Sequence, residues 1–470
     1  MKWVRYFLPN AAYKQVYMLQ QLEYDPFKLF KWVISFPDLK NTVNRGKLIL
    51  TPKALGLLVV AYLMWLLAVL SGVYCLLSQQ YIIGLILVFI SFDLTWLSIF
   101  TVSLLGKVIL DAKRKPFLDK ARTIFADTNA TKIAVMGSYG KTSMKEILSS
   151  VLSDKFKVAF TPGNKNVPIS HARWAVSGLT GDEEVLVVEY GEGEPGDISK
   201  LASLSMPNLV IMTGLAPNHL DHYKTYENLV KDFLDIENYT EARDVYASDS
   251  AKEFIDGLNH RPRLYGENSV DGWKISNILI SINGTNFLMK KGSNTIKVKS
   301  KLLGRHNVGP LGLAVAIAFS LGMNKEEIED AISKTSAFEH RMQPRNVNGA
   351  WIIDDTYNGN LEGFKAGLRL MSELNAKRKI YVTPGLVDQG EETQRVHYEI
   401  AKAIYSANPN IVVLMKNENT ELIYGVLREL KFSGEVKMET NPLEYYKNID
   451  QFIAAGDLIL MQNDLPDAYS

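Results

Sequence analysis

The eight residues Met136-Gly137-Ser138-Tyr139-Gly140-Lys141-Thr142-Ser143 combine the side chains and backbone freedom needed to hold a phosphate chain. Glycines let the backbone curl with its N–H groups turned inward, and the helix that should start here adds a positive dipole end. Lys141 brings a point charge for the terminal phosphates, and Thr142 a hydroxyl for a magnesium ion. The general phosphate-loop pattern places one more glycine five residues before Gly140, where this chain has Val135, so the match is to the shorter form G-x-x-G-K-S/T. ATP with Mg2+ is the ligand that suits these residues, and Gly137 to Ser143 are all candidate contacts.

Two further candidates follow strand-like runs. Val185 to Val188 is apolar and ends in Glu189, and the carboxyl ends of strands in an open α/β sheet are where ligands bind. Glu189 is therefore a candidate magnesium ligand. His219 comes shortly after the next run, Leu209 to Met212, and is a candidate for coordinating a second ion.

The elements that must position these groups can be read from the apolar pattern. Ile133 to Met136, Val158 to Phe160, Val185 to Val188, Leu209 to Met212 and Val245 to Ala247 predict buried parallel strands with crossover helices between them, an α/β doubly wound sheet. Trp273 to Val298 alternates instead, with turns at Asn283-Gly284 and Gly292-Ser293, and predicts a small antiparallel insertion. A helix over Val308 to Leu321 closes this domain. Runs at Trp351 to Ile353, Ile380 to Val382, Ile411 to Leu414 and Leu458 to Met461 predict a second, smaller Rossmann-like domain.

The chain has 470 residues, 47% of them hydrophobic, too many for one ordinary core. A net charge of +1 gives no electrostatic footprint for nucleic acid. Cys75 is the only cysteine, which excludes an intrachain disulfide and a thiol-ligated zinc site and fits a reducing cytoplasm. From Ala54 to Gly106 the only charged residue is Asp93, and the run is long enough for two bilayer spans, Ala54 to Leu77 and Ile82 to Leu105. Lys40, Arg45, Lys47 and Lys53 precede this hairpin and Lys107, Lys113, Arg114 and Lys115 follow it, so both ends should face the cytoplasm. Asp93 is expected to face the partner helix or to bond a neighbour such as Ser91 or Thr95. Trp3, Tyr6, Phe7, Phe27, Phe30 and Trp32, mixed with basic residues, suit a segment lying at the membrane surface, or equally a small cap on the soluble part. The expected plan is an interfacial segment over 1–52, a transmembrane hairpin over 53–107, an ATP-binding central domain over 116–337 and a C-terminal domain over 338–470.

Further blocks carry a family resemblance. They are Thr161-Pro162-Gly163-Asn164-Lys165-Asn166, Gly304-Arg305-His306-Asn307, and His340-Arg341 followed by Ile352-Ile353-Asp354-Asp355-Thr356-Tyr357-Asn358-Gly359-Asn360. Pro384-Gly385-Leu386-Val387-Asp388-Gln389-Gly390, with Glu391 and His397, completes the series. In this order, from about Lys132 to Asp457, the chain resembles the Mur ligase family, most of all its MurF branch, which joins a dipeptide to a cell-wall peptide precursor. The resemblance implies that Asn307 contacts adenine, Arg341 the ATP phosphates and Asp355 the ribose. It implies that Asn164, Asn166, Tyr357 and Asn358 lie on the substrate side. It also implies an ADP-forming ligase in which ATP phosphorylates a carboxylate and an amino acid or dipeptide attacks the acyl phosphate, with Lys141, Glu189, His219 and Arg341 as the catalytic group.

The chain departs from the family pattern in three places. The family's carbamylated lysine aligns with Asp235, one turn after Lys231, and an aspartate supplies a carboxylate natively; Thr142, Glu189, His219 and Asp235 are then the expected metal ligands. The final strand ends in Gln462-Asn463-Asp464 where the MurF branch tends to have Lys-Gly-Ser. Nothing before Lys115 resembles a uridine-nucleotide domain, which raises the expectation of a precursor that is lipid-linked or otherwise presented at the cytoplasmic membrane; the competing version is a small-molecule cell-wall precursor handled by a ligase that is merely tethered. A membrane-anchored P-loop ATPase or kinase, and a scaffold that binds ATP without turnover, are the competing readings.

Overall fold

The computed structural model describes residues 11–22, 24–34, 48–163, 165–217, 220–240, 244–357, 359–387 and 389–465. They belong to two compact units, Met1–Asp119 and Lys120–Ser470.

In the first unit, helices α1 (Ala11–Gln21) and α2 (Pro26–Ile34) bury Val16, Leu19, Leu29 and Val33 with Leu57 and Ala61 of α3 (Pro52–Leu77). Thr51 starts α3 by accepting from the Ala54 N–H, with Pro52 at the first helical position, where its missing N–H costs nothing. Helix α4 (Tyr81–Asp127) returns beside α3. The two meet at glycines: a Cβ on Gly72 would lie 2.7 Å from Val88 Cγ2, and one on Gly84 would lie 2.6 Å from Leu76 Cγ. Helix α3, and α4 from Thr95 onward, are long and apolar enough to cross a bilayer. The second helix does not stop near Leu105, as the apolar pattern suggested, but runs 47 residues through Pro116. Helix formers such as Lys113, Arg114, Leu118 and Ala121 carry it on beyond the apolar stretch. The side chain of Asp93 lies outside the described residues, as do Trp3, Tyr6, Phe7, Lys40, Arg45 and Lys47.

The second unit holds two sheets. The first is ten-stranded, in the order β10-β9-β8-β7-β6-β5-β4-β1-β3-β2. Its members are β1 (Thr131–Met136), β2 (Val158–Phe160), β3 (Val185–Glu189), β4 (Leu209–Met212), β5 (Val245–Ser248), β6 (Arg263–Tyr265), β7 (Ser269–Val270), β8 (Trp273–Ser281), β9 (Gly284–Lys291) and β10 (Asn294–Ser300). Strands β1 to β6 pair in parallel, and β7 to β10 are antiparallel. The small antiparallel insertion continues the parallel sheet, joined through β6 and β7, which are too short to leave a periodic signal. Helices α5 (Lys141–Leu152), α6 (Pro168–Gly178), α7 (Asp197–Ser205), α8 (Leu220–Tyr223), α9 (Tyr226–Leu234), α10 (Lys252–Gly257), α11 (Val308–Ser320) and α12 (Lys325–Lys334) accompany it. Ile133, Val135, Ile147, Val151, Val187, Leu311 and Val315 share its core.

The second sheet is six-stranded, in the order β11-β12-β16-β13-β14-β15. It comprises β11 (Gln343–Val347), β12 (Ala350–Tyr357), β13 (Arg378–Thr383), β14 (Ile411–Met415), β15 (Glu435–Glu439) and β16 (Asp457–Leu465). Helices α13 (Leu361–Glu373), α14 (Thr393–Ala407), α15 (Glu418–Glu429) and α16 (Pro442–Lys447) complete it. All strand pairs but β11–β12 are parallel. Leu303, from the segment after β10, is buried in this second core with Phe364, Leu370 and Leu460, so the two sheets share a packed seam.

Candidate active site

The loop from Gly137 to Gly140 leaves the carboxyl end of β1, a central strand, and opens α5. Its glycines are obligatory: Gly137 has φ +137° and a Cβ there would fall 2.4 Å from Thr213 Oγ1, while Gly140, at φ +81°, caps α5 in the left-handed region. The loop is clamped from β4. The Thr213 hydroxyl shares its one hydrogen between Tyr139 O (2.5 Å) and Met136 O (3.1 Å), and Ser138 N donates to Gly214 O (2.7 Å). The Tyr139 ring lies where a Gly214 side chain would be, and burial raises its phenol pKa.

Glu189, the last residue of β3, is the hub beside this loop. Its Oε1 accepts from Thr142 Oγ1 (3.3 Å) and Asn166 Nδ2 (3.5 Å), and its N–H donates to Thr161 Oγ1 (3.0 Å). Its Oε2 is buried without a hydrogen bond, 3.4 Å from Lys145 Nζ. Lys145 is itself fully buried and donates to Thr161 O (2.9 Å) and Gly163 O (2.6 Å). Behind the strand end, His171 Nε2 donates to Glu189 O at 2.9 Å; burial pushes its pKa down to about 4, so the ring is neutral. Lys141 donates to Gly137 O (2.5 Å) and to Glu192 Oε2 (2.7 Å). Lys145, His171 and Glu192 were not singled out from the sequence. Glu192, three residues past a strand end in an acid-rich loop, carried the only usable signal.

The expected metal residues are only partly brought together. Thr142 and Glu189 meet. Asp235 accepts from Ser199 Oγ of α7 (3.2 Å); the neighbouring Asp232 is buried, held by Gly196 N (2.6 Å) and Tyr223 OH (2.7 Å). Asp232 shares the inward face of α9 with Leu229 and Phe233, while Asp235 caps the helix end. His219 lies outside the described residues, as do Asn164, Asn358 and Asp388, and among the described residues no group of three or more His, Cys, Asp or Glu is placed to hold a metal ion.

A cavity of about 500 Å³ runs from the loop to the second sheet. Tyr139, Gly140 and Ser143 line one side of it, and Arg341, Asp355 and Tyr357 the other; Asn307 also borders it. The Asn307 amide nitrogen donates to Leu303 O (2.8 Å) and meets His306 Nε2 (3.1 Å). The Arg341 guanidinium sits 4.8 Å from the centre of the Tyr357 ring. Burial pushes the Asp355 carboxyl up to about 6, against donors from Gln462 Nε2 (2.8 Å) and Met342 N (3.3 Å) that favour the ionised form. Gln462, at the departure noted in the final strand, thus supports Asp355. His397 orders the Pro384–Gly385–Leu386 turn by accepting from Leu386 N (3.1 Å) while bonded to Thr393 O (2.7 Å). Along the same seam Arg369 makes a forked pair with Glu267 (2.6 and 3.2 Å), and Arg305 bonds Glu373 (2.6 Å).

Comparison with known proteins gives concordant results. Residues 135–318 match the Mur ligase middle domain, and residues 340–464 match the Mur ligase, glutamate ligase domain. The UDP-N-acetylmuramoyl-tripeptide–D-alanyl-D-alanine ligase of Borreliella burgdorferi is 28% identical over 309 residues, covering 63% of this chain and 65% of that protein. The enzyme of the same name from Bacillus subtilis is 23% identical over 358 residues, covering 76% and 78%. The fold resembles MurF from Thermotoga maritima in complex with ADP, with a TM-score of 0.64 at 20% identity, covering 75% of this chain and 80% of that one. The chain therefore spans about two thirds of the length of the first of these relatives.

Proposed function

The chain belongs to the Mur ligase family, and we propose that it is an ATP-dependent, ADP-forming ligase that makes an amide bond on a cell-wall precursor, in the manner of the MurF branch. The observation that carries this is one cleft lined by Tyr139, Gly140 and Ser143 of the loop together with Asn307, Arg341 and Asp355. A hydrolase needs only the loop; an enzyme that must protect an acyl phosphate needs two domains closing over the nucleotide.

In this reading a carboxylate oxygen of the acceptor attacks the γ-phosphorus and ADP leaves. An amine then attacks the acyl carbon, phosphate leaves with the former carboxylate oxygen, and the nitrogen loses a proton. Lys141 and Arg341 neutralise charge on the phosphates, Asn307 reads the base and Asp355 holds the ribose. Thr142, Glu189 and His219 would hold Mg2+, which supplies charge neutralisation on the phosphate oxygens. The hydroxyl–carboxylate contact of Thr142 with Glu189, whose second oxygen is buried without a hydrogen bond, fits a hard cation. Asn166 and Tyr357 are assigned to the precursor and the amine, a role the family resemblance also gives to Asn164 and Asn358; by the name of its relatives the amine is D-alanyl-D-alanine.

We assign residues 53–107 to a membrane hairpin after an interfacial segment, with 116–337 and 338–470 as the cytoplasmic central and C-terminal domains. Support comes from the apolar helices and from Lys53, Lys107, Lys113, Arg114 and Lys115 at one end of both. An acceptor confined to the same surface, a lipid-linked precursor, gains effective concentration from this anchoring. The test is ADP release by the full chain in nanodiscs. Release is expected only when a carboxylate precursor and D-alanyl-D-alanine are both present; release with neither would mark an ATPase.

A further inference from the structure

Glu192 lies three residues beyond β3 and holds Lys141, with Oε2 2.7 Å from Nζ and the two side chains 3% and 12% exposed. The lysine that is to meet the terminal phosphates is thus already paired with a carboxylate of the protein. Next to it in sequence, Thr142 contacts a second buried acid, Glu189. Two ammonium groups serve these two acids: Lys141 for Glu192, and Lys145 for Glu189, with Lys145 also facing Glu146 at 3.5 Å.

Lys141 Nζ already gives two of its three N–H donors to Gly137 O and Glu192 Oε2, so a phosphate chain that draws the ammonium to itself competes with Glu192 for it. Removing one partner of a buried pair strands the other charge in a poorly solvated place, which costs far more than the pair itself contributes. Here the stranded group is an anion facing incoming anions, and only Lys145 remains to balance two acids. Uncomplexed nucleotide therefore meets both competition and like-charge repulsion. A nucleotide that carries its own divalent cation meets neither in full, because Glu192 exchanges an ammonium for the field of that cation.

We propose that Glu192 makes this site select metal-complexed nucleotide over free nucleotide, by competing with bare phosphates for Lys141. The inference rests on the ATP-binding reading above and adds a residue that reading does not use.

The experiment is calorimetric binding of the β,γ-imido analogue of ATP to the full chain in nanodiscs, with and without Mg2+, for the unmodified protein, Glu192→Gln and Glu192→Ala. Both variants should bind the metal-free analogue roughly tenfold tighter than the unmodified chain, and the factor by which Mg2+ tightens binding should shrink correspondingly. A gain in affinity cannot come from a misfolded site. Unchanged or weaker metal-free binding in variants with an unchanged unfolding midpoint would overturn the proposal while leaving the ATP site standing. If the unmodified chain bound no nucleotide under either condition, the ATP reading itself would fall, and this inference with it.

Discussion

Lys145 Nζ lies 3.4 Å from Glu189 Oε2, with neither side chain more than 3% exposed. The same ammonium holds the carbonyls of Thr161 and Gly163. One cation, a turn after Lys141 on α5, therefore ties the acid at the end of β3 to the loop that carries Asn166. Lys145→Met should strand that acid and both carbonyls, at a cost of about 3 to 5 kcal/mol read from the denaturant midpoint. In protein that remains folded, kcat should fall more than nucleotide affinity, because the acid and loop are displaced rather than the phosphate cradle. A variant of unchanged stability would show that Lys145 is not their support.

Gly137→Ala tests the cradle itself. A methyl group there meets Thr213 Oγ1 at 2.4 Å and is forced onto φ +137°, so the loop must leave its clamp. Nucleotide binding should drop by at least an order of magnitude in a folded protein, measured by the same calorimetry. Gly163→Ala, at a position with open space around it but also a positive φ, should leave nucleotide affinity nearly intact.

Asp355 gives a pH signature. With its pKa raised to about 6 by burial, the folded chain keeps a proton that the unfolded chain has released above about pH 4. Stability from this group therefore declines as pH rises from about 4 to about 6, and is level above that. Because the carboxyl keeps an exposed edge on the cleft, the loss is on the order of 1 to 3 kcal/mol. Asp355→Asn should remove this slope and raise the unfolding midpoint at neutral pH. If Asp355 holds the ribose hydroxyls as a carboxylate, nucleotide affinity should weaken below pH 6 in the unmodified chain and lose that dependence in the variant.

The parts of the fold legible in the sequence were those set by local rules. The five parallel strands of the central sheet up to β5 follow from short apolar runs, and the cradle from glycines at fixed spacing before Lys141. Side chains whose roles depend on distant partners were not legible. Lys145, four residues after Lys141, has nothing in its surroundings in sequence to mark it as buried; it is buried because the 161–163 loop folds over it. Glu192 reads as a solvated loop acid until Lys141 is placed beside it. Asp232 has no mark in the sequence either; it is turned inward by the phase of α9. The length of α4 was missed because helix propensity continues after hydrophobicity stops.

The central claim is that the cradle around Lys141 activates a carboxylate, and the most direct test follows oxygen. An acceptor labelled with ¹⁸O in its carboxyl group should yield released phosphate carrying one ¹⁸O per turnover, together with a product heavier by the amine less water; Lys141→Ala should yield neither. Phosphate free of label, released at the same rate with or without the acceptor, would contradict the account.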